Sequence, residues 1–146
     1  MTVRYASWAG NTAAEIYCNR GTSGIDGTVS TAVGFALAQP LKKVFCVLGD
    51  ISFFYDANAL WTNHIPQNLG ILVLNNFGGH IFNFISGPSE APELLPYIVT
   101  PHHRSAQHLA SDYKIPYFLF HFNNNSIANT ALKTHTPFII EITHES

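Results

Sequence analysis

The chain has 146 residues, of which 47% are apolar and 11% charged, with a formal net charge of −2. That length suffices for one domain with a full core, burying about 70% of its unfolded surface, and so low a charge content, against a usual value of about 25%, points to surface hidden against another domain or subunit. The charge excludes an obvious nucleic-acid or anionic-membrane partner, and no apolar run approaches the roughly 18 residues of a membrane span.

The opening Met1-Thr2-Val3-Arg4-Tyr5 has no signal-peptide layout, and the two lone cysteines, Cys18 and Cys46, point to a reducing cytoplasm. Val3 to Ala9 has the makings of a short helix, and Glu15 to Cys18 reads as a first strand. Cys18 and Cys46 each fall in a predicted strand, as buried thiols of a reducing compartment, and they lack zinc spacing. The eight histidines are scattered and read mostly as surface or packing residues.

Asn19 to Gly27 is a breaker-rich loop with three glycines. After it Val29, Ala32, Val33, Ala36 and Leu37 recur at helical spacing, and Pro40 ends that helix. Val44 to Leu48 and Ile71 to Leu74 are short, β-branched and bounded by breakers, as buried strands are. Between them, Asp56 to Asn63 carries Ala57, Leu60 and Trp61 at helical spacing. The segment from Ile81 to Pro96 begins apolar and becomes a Pro-rich loop, a candidate lid or a plain surface excursion. Ser105 to Tyr113 predicts a helix, Tyr117 to Phe120 a strand, Asn123 to Ser126 a turn whose last residues cap a helix running through Lys133, and Phe138 to Ile142 a last strand. Five strands alternating with helices argue for an α/β fold: a doubly wound, mostly parallel sheet with helices on both faces, in one domain.

Both central strands end in polar oxygen donors. Gly49-Asp50-Ile51-Ser52 follows the first, and Asn75-Asn76-Phe77-Gly78-Gly79 follows the second. Ligands of open parallel sheets bind outside the carboxyl ends of strands. A carboxylate and an amide oxygen brought together there suit a hard cation such as Mg²⁺, which takes its remaining oxygens from water and a phosphate. An ordinary strand–turn–helix, with Asp50 capping a helix and Asn75-Asn76 making a turn, accounts for the same residues.

Gly-Asp followed about 25 residues later by Asn-Asn resembles the thiamine diphosphate signature of the pyruvate decarboxylase and acetolactate synthase superfamily. The resemblance implies that Asp50, Asn76 and the main-chain carbonyl of Gly78 hold Mg²⁺ (or Mn²⁺), which grips the cofactor diphosphate. Ile51 departs from the usual Gly and narrows the branch. Asn19-Arg20-Gly21-Thr22-Ser23-Gly24-Ile25-Asp26-Gly27, the Gly-Asp-x-Ser-x-x-x-Asp run from Gly49 to Asp56, and Asn75 to Phe82 resemble the 2-succinyl-5-enolpyruvyl-6-hydroxy-3-cyclohexene-1-carboxylate synthases of menaquinone biosynthesis. Val3-Arg4-Tyr5 is similar to a further segment of that family.

The resemblance implies a thiamine diphosphate-binding fold. It also implies a transferase reaction that decarboxylates 2-oxoglutarate and adds the product to isochorismate. Arg4 and Arg20 fall on positions that bind substrate carboxylates, and Ile81 and Phe82 on apolar positions lining the substrate pocket. The backbone at Ser23, Gly24 and Ile25 is expected to bond the cofactor's aminopyrimidine, with Ile25 propping its bent shape. Ile51 and Ser52 are expected beside the cofactor, Ser52 at the diphosphate. A salt bridge at Arg20, or a merely buried Ile25, fits the residues by themselves.

The family's activating Glu has no match among Glu15, Glu90, Glu93, Glu141 and Glu145. No catalytic residue is therefore expected in this chain. By the resemblance, residues 1–146 are the diphosphate-binding domain of a longer enzyme, without its pyrimidine-binding and middle domains. The activating Glu would come from the pyrimidine-binding domain of a partner subunit in a homo-oligomer, and this chain alone would be inactive. Another thiamine diphosphate-dependent carboligase or decarboxylase, or a non-catalytic cofactor-binding remnant, are the other readings.

Overall fold

A computed structural model describes residues 14–19, 24–122 and 126–143. Its centre is a four-stranded parallel sheet in the order β1-β2-β4-β3, formed by β1 (Val44–Gly49), β2 (Leu69–Asn75), β3 (Tyr117–His121) and β4 (Phe138–Thr143). The two inner strands, β2 and β4, are buried along most of their length, which is why both read as unbroken apolar runs rather than alternating ones.

Helices cover both faces. On one face, α1 (Thr28–Ala38) brings Val29, Val33 and Ala36 onto Cys46, Leu48, Ile71, Val73 and Ile139. Also in this core are Phe53 of α2 (Asp50–Tyr55), Leu60 of a 3-10 turn (Ala57–Leu60), and Ala106 and Ala110 around α4 (Gln107–Asp112). The opposite face is smaller. There Ala131 of α5 (Ile127–Lys133) packs on Phe138 and Ile140. That helix leaves part of β1 bare: Phe45 and Val47, two apart and so on one face, are 39% and 42% exposed. Between β2 and β3 the chain forms two 3-10 turns (His80–Phe84 and Pro88–Glu90) and α3 (Leu95–Val99).

Several sequence expectations need correction. Glu15 to Cys18 forms no strand; it is exposed, and Tyr17 lays its ring on Phe35 with centroids 4.9 Å apart. The described sheet therefore has four strands rather than five. Only Cys46 of the two thiols is buried, and Cys18 is exposed. The helix placed at Asp56 to Asn63 instead begins at Asp50, directly behind the strand, and Asp56 to Leu60 completes it as a 3-10 turn. The stretch expected to be a loop through Pro96 contains short helical turns, and the 105–113 helix contracts to Gln107–Asp112. The expected helix at Val3 to Ala9 lies outside the described residues. Among the described residues no helix is long and apolar enough to cross a membrane.

Candidate functional site

Parallel pairing of β1 with β2 in the register Gly49↔Leu74 sets the two carboxyl ends side by side. Asp50, the next residue after β1, is 3% exposed. Its Oδ1 accepts the N–H of Ile51 at 2.8 Å, and its Oδ2 accepts the N–H of Gly78 at 2.9 Å. The second bond joins the loop after β1 to the loop after β2.

That second loop is shaped from within. Asn75 is 2% exposed, and its Oδ1 accepts the N–H of Phe77 at 3.0 Å, a side-chain turn of the kind Asn favours. Phe77 takes φ 64°, rare for a bulky residue, and Gly78 follows at φ 154°. A Cβ at Gly78 would stand 3.0 Å from the carbonyl oxygen of Val99, so glycine is required by both backbone and space. Gly79 N–H donates to Val99 O at 2.7 Å, and His102 N–H donates to Phe77 O at 3.1 Å. The loop after β2 is thus laced to the segment after α3.

Beneath this loop lies Glu141, a carboxylate on a strand that is otherwise apolar, 1% exposed. Its Oε1 accepts from Asn75 Nδ2. Its Oε2 accepts from Tyr117 Oη at 2.6 Å, Ser105 Oγ at 2.6 Å and Ala106 N at 3.0 Å. Asn75 Nδ2 also donates to Arg104 O at 2.9 Å. Four donors on one carboxylate are what a buried charge requires. Burial and then the bond to Glu141 push the Tyr117 phenol above its usual range.

The residues behind Asp50 hold the glycine-rich loop. Ser52 Oγ donates to Ile25 O at 2.6 Å, and Asp56, 6% exposed, accepts from both the N–H and the hydroxyl of Ser30 in the first turn of α1.

Asp50, the Asn76 amide and the Gly78 main chain offer oxygen donors. Among the described residues no group of three or more His, Cys, Asp or Glu is placed to hold a metal. A single buried carboxylate with amide and main-chain oxygens suits a hard cation that brings its own water and phosphate oxygens, and does not suit zinc. The donor chemistry therefore fits Mg²⁺.

No family model matches the chain. Among curated proteins it is 52% identical over 104 residues, 71% of this chain and 19% of the relative, to the 2-succinyl-5-enolpyruvyl-6-hydroxy-3-cyclohexene-1-carboxylate synthase of Flavobacterium johnsoniae. It is 48% identical over 121 residues (82% of the chain, 22% of the relative) to the protein of that name from Cytophaga hutchinsonii. For that of Flavobacterium psychrophilum the figures are 47% over 116 residues, 79% of the chain and 21% of the relative.

This chain is a homologue of those synthases. It spans about a fifth of the length of the curated synthases it matches.

Of the residues that the synthase resemblance singles out, Arg4, Arg20 and Ser23 lie outside the described residues. Gly24 is exposed, and Ile25 keeps 42% of its surface open just before α1. Ile51 and Ser52 sit half-buried at the start of α2, and Asn76 is exposed beside buried Asn75. Ile81 and Phe82 are half-buried on the 3-10 turn after the loop, with the Phe82 ring packed against Gly79. The structure thus brings Asp50 and Gly78 into direct contact. Sequence reasoning gave Asn75 as a turn former, which the bond to Phe77 N–H bears out, but not its tie to Glu141, and it missed His102 and the role of Glu141. Only Glu141 carries a visible signal, a lone carboxylate within Phe138-Ile139-Ile140-Glu141-Ile142.

Proposed function

We propose that this chain supplies the diphosphate-binding part of a thiamine diphosphate-dependent synthase that decarboxylates 2-oxoglutarate and joins the product to isochorismate in menaquinone biosynthesis. The observation that carries the reading is the bond from Gly78 N–H to Asp50 Oδ2, which ties two strand ends into one oxygen-rich cradle. The synthase names of the homologues support the same reading.

In this proposal Asp50, Asn76 and the Gly78 carbonyl hold Mg²⁺ (or Mn²⁺), and the ion grips the cofactor diphosphate, with Ser52 alongside. Thiamine diphosphate, when bound, supplies the electron sink for decarboxylation and carbon–carbon bond formation. The chain's own residues orient it. The backbone of Ser23, Gly24 and Ile25 meets the aminopyrimidine, and Ile51 and the side chain of Ile25 bear on the cofactor as apolar supports. Arg4 and Arg20 bind substrate carboxylates as planar, bidentate donors. Ile81 and Phe82 line the pocket and exclude water.

The activating carboxylate is proposed to come from the pyrimidine-binding domain of a partner subunit. Glu141 is fully occupied by four donors, and Glu15 pairs with Lys42 at 2.7 Å. Trp61, Tyr97, Phe84 and the open face of β1 expose apolar surface, which supports cover by further protein. The chain by itself is therefore proposed to lack synthase activity.

Calorimetric titration with thiamine diphosphate, with and without Mg²⁺, tests this beside Asp50→Ala, alone and with the pyrimidine-binding domain added. Metal-dependent binding lost in the variant is the expected result. A folded wild type that binds neither ion nor cofactor in either arm would sink the proposal.

A further inference from the structure

His102 stands apart from the other described histidines. Its side chain is 9% exposed, and its Nε2 lies 3.2 Å from Asp50 Oδ2. The two atoms are within ion-pair reach, yet off line for a hydrogen bond, so this buried nitrogen has no hydrogen-bond partner. Burying a polar group unpaired is costly, and such a group marks a place where something is still to be aligned.

The other ring nitrogen fixes which proton is where. Nδ1 accepts the N–H of Arg104 at 3.0 Å. A nitrogen that accepts carries the lone pair, so the neutral ring bears its proton on Nε2. Toward Asp50, then, His102 presents an N–H and no lone pair. It faces the carboxylate with an N–H still to be aligned, and it is not itself a cation ligand. The ring is held edge-on by Phe54, with centroids 5.4 Å apart at 90°, and by Phe77, at 6.3 Å and 71°. Its main-chain N–H is tied to Phe77 O at 3.1 Å.

We propose that His102 is a positioning residue for the cation site. Its Nε2–H fixes the rotation of the Asp50 carboxylate, so that the lone pairs not taken by Ile51 and Gly78 face the ion. The inference rests on the proposed function, and it adds to Asp50 the kind of outer partner that orients metal ligands elsewhere.

The alternative role, a histidine that merely packs the loop through Nδ1 and its neighbouring rings, is separable by substitution. In His102→Asn the amide oxygen stands near the place of Nδ1 and accepts the Arg104 N–H, with nothing at Nε2. In His102→Gln the amide nitrogen stands near the place of Nε2 and donates to Asp50, with nothing at Nδ1. Mg²⁺ is titrated by calorimetry into each protein with thiamine diphosphate present, and the ligand-free proteins are melted in parallel. We expect His102→Asn to melt near the wild type but to bind Mg²⁺ about 10–100-fold more weakly. His102→Gln should melt lower and keep wild-type affinity to within about threefold, because its amide N–H still reaches the Asp50 carboxylate. Ring ¹⁵N spectra of the ligand-free wild type should show the proton on Nε2, with that signal displaced in Asp50→Asn.

Mg²⁺ affinity unchanged in His102→Asn overturns the proposal, as does a ring protonated on Nδ1. If neither variant folds, the spectra decide: an Nε2 signal unmoved by Asp50→Asn overturns it. A wild type that binds no Mg²⁺ with thiamine diphosphate present removes the proposed function and this inference with it. A wild type that binds, matched by both variants, removes the inference alone.

Discussion

The carboxylate of Asp56 accepts the main-chain N–H of Ser30 at 2.7 Å and the Ser30 hydroxyl at 2.6 Å, across 26 residues of sequence. Ser30 lies in the first turn of α1, where main-chain N–H groups have no partner within the helix. Gly27, which precedes that helix, makes no side-chain cap. Asp56 is therefore a cap supplied from a distant segment, and it fixes where the glycine-rich loop hands over to the helix.

Asp56→Ala should lower stability by about 1–3 kcal/mol, because it leaves a partly buried N–H unpaired and removes a charged acceptor. Urea denaturation checks this through a lower midpoint at unchanged slope. A midpoint equal to wild type would mean that water replaces the carboxylate without loss.

Cys46 gives stability an alkaline limit. Burial, and secondarily the neighbouring Asp56 carboxylate, push its thiol from 9.0 up to about 12. Between those values the unfolded chain has lost the proton and the folded chain keeps it, so stability is fully present below pH 9.0 and drains as pH rises toward 12. The slope in that window approaches about 1.4 kcal/mol per pH unit for one group. Cys46→Ala should flatten it, apart from a parallel contribution of the same sign from Tyr117. Below pH 9, a maleimide should label exposed Cys18 in the folded chain and spare Cys46.

Replacing Glu141 by Gln turns one of its acceptors into a donor. An amide nitrogen in the place of Oε1 faces Asn75 Nδ2, and Asn75 must turn to answer it, giving up the Phe77 N–H. The expected loss is about 1–3 kcal/mol, with Tyr117→Phe, which removes one of three donors to Oε2, costing about 1 kcal/mol. Denaturation measures the loss. The Gly78 amide resonance should shift in Glu141→Gln, and an unmoved signal would deny the link from Glu141 to the cradle.

Gly70 sits opposite Phe138 in the β2–β4 register, and the Phe138 ring occupies the space a Cβ would take. Gly70→Ala should cost about 1–3 kcal/mol through overpacking. The cost should shrink in a Phe138→Leu background, since residues in direct contact do not add independently. Equal costs in both backgrounds would place the strain elsewhere.

The sheet is legible in the sequence because buried parallel strands are short apolar runs between breakers. Val44 to Leu48, Ile71 to Leu74, Tyr117 to Phe120 and Phe138 to Ile142 each match an observed strand within one or two residues at either end. Glu15 to Cys18 has the same local look and no strand, since a run needs a paired neighbour as well as composition. The helix after Gly49 hides from spacing arguments because it starts without a loop: Gly49 is extended at φ −80°, ψ 165°, and Asp50 is already helical. The Gly-Asp and Asn-Asn pairs locate the cradle because short motifs act through adjacent atoms. His102 and Glu141 act across 52 and 66 residues, and nothing in their immediate neighbours announces such partners.

The lacing of the loop after β2 has a consequence for the order of assembly. Asp50, Gly78 and His102 come from three separate stretches, and they meet only after β1 has found β2 in register and the segment at Val99 has docked. Such non-local pairing is a slow and late event in folding. A partly collapsed intermediate would have strands and helices yet no cradle, so the proposed cation affinity should arise in the final kinetic phase and vanish first under partial denaturation. Ion capture would then act as a latch on the finished molecule, shielding this edge from local opening more than it shields the distant end of the sheet.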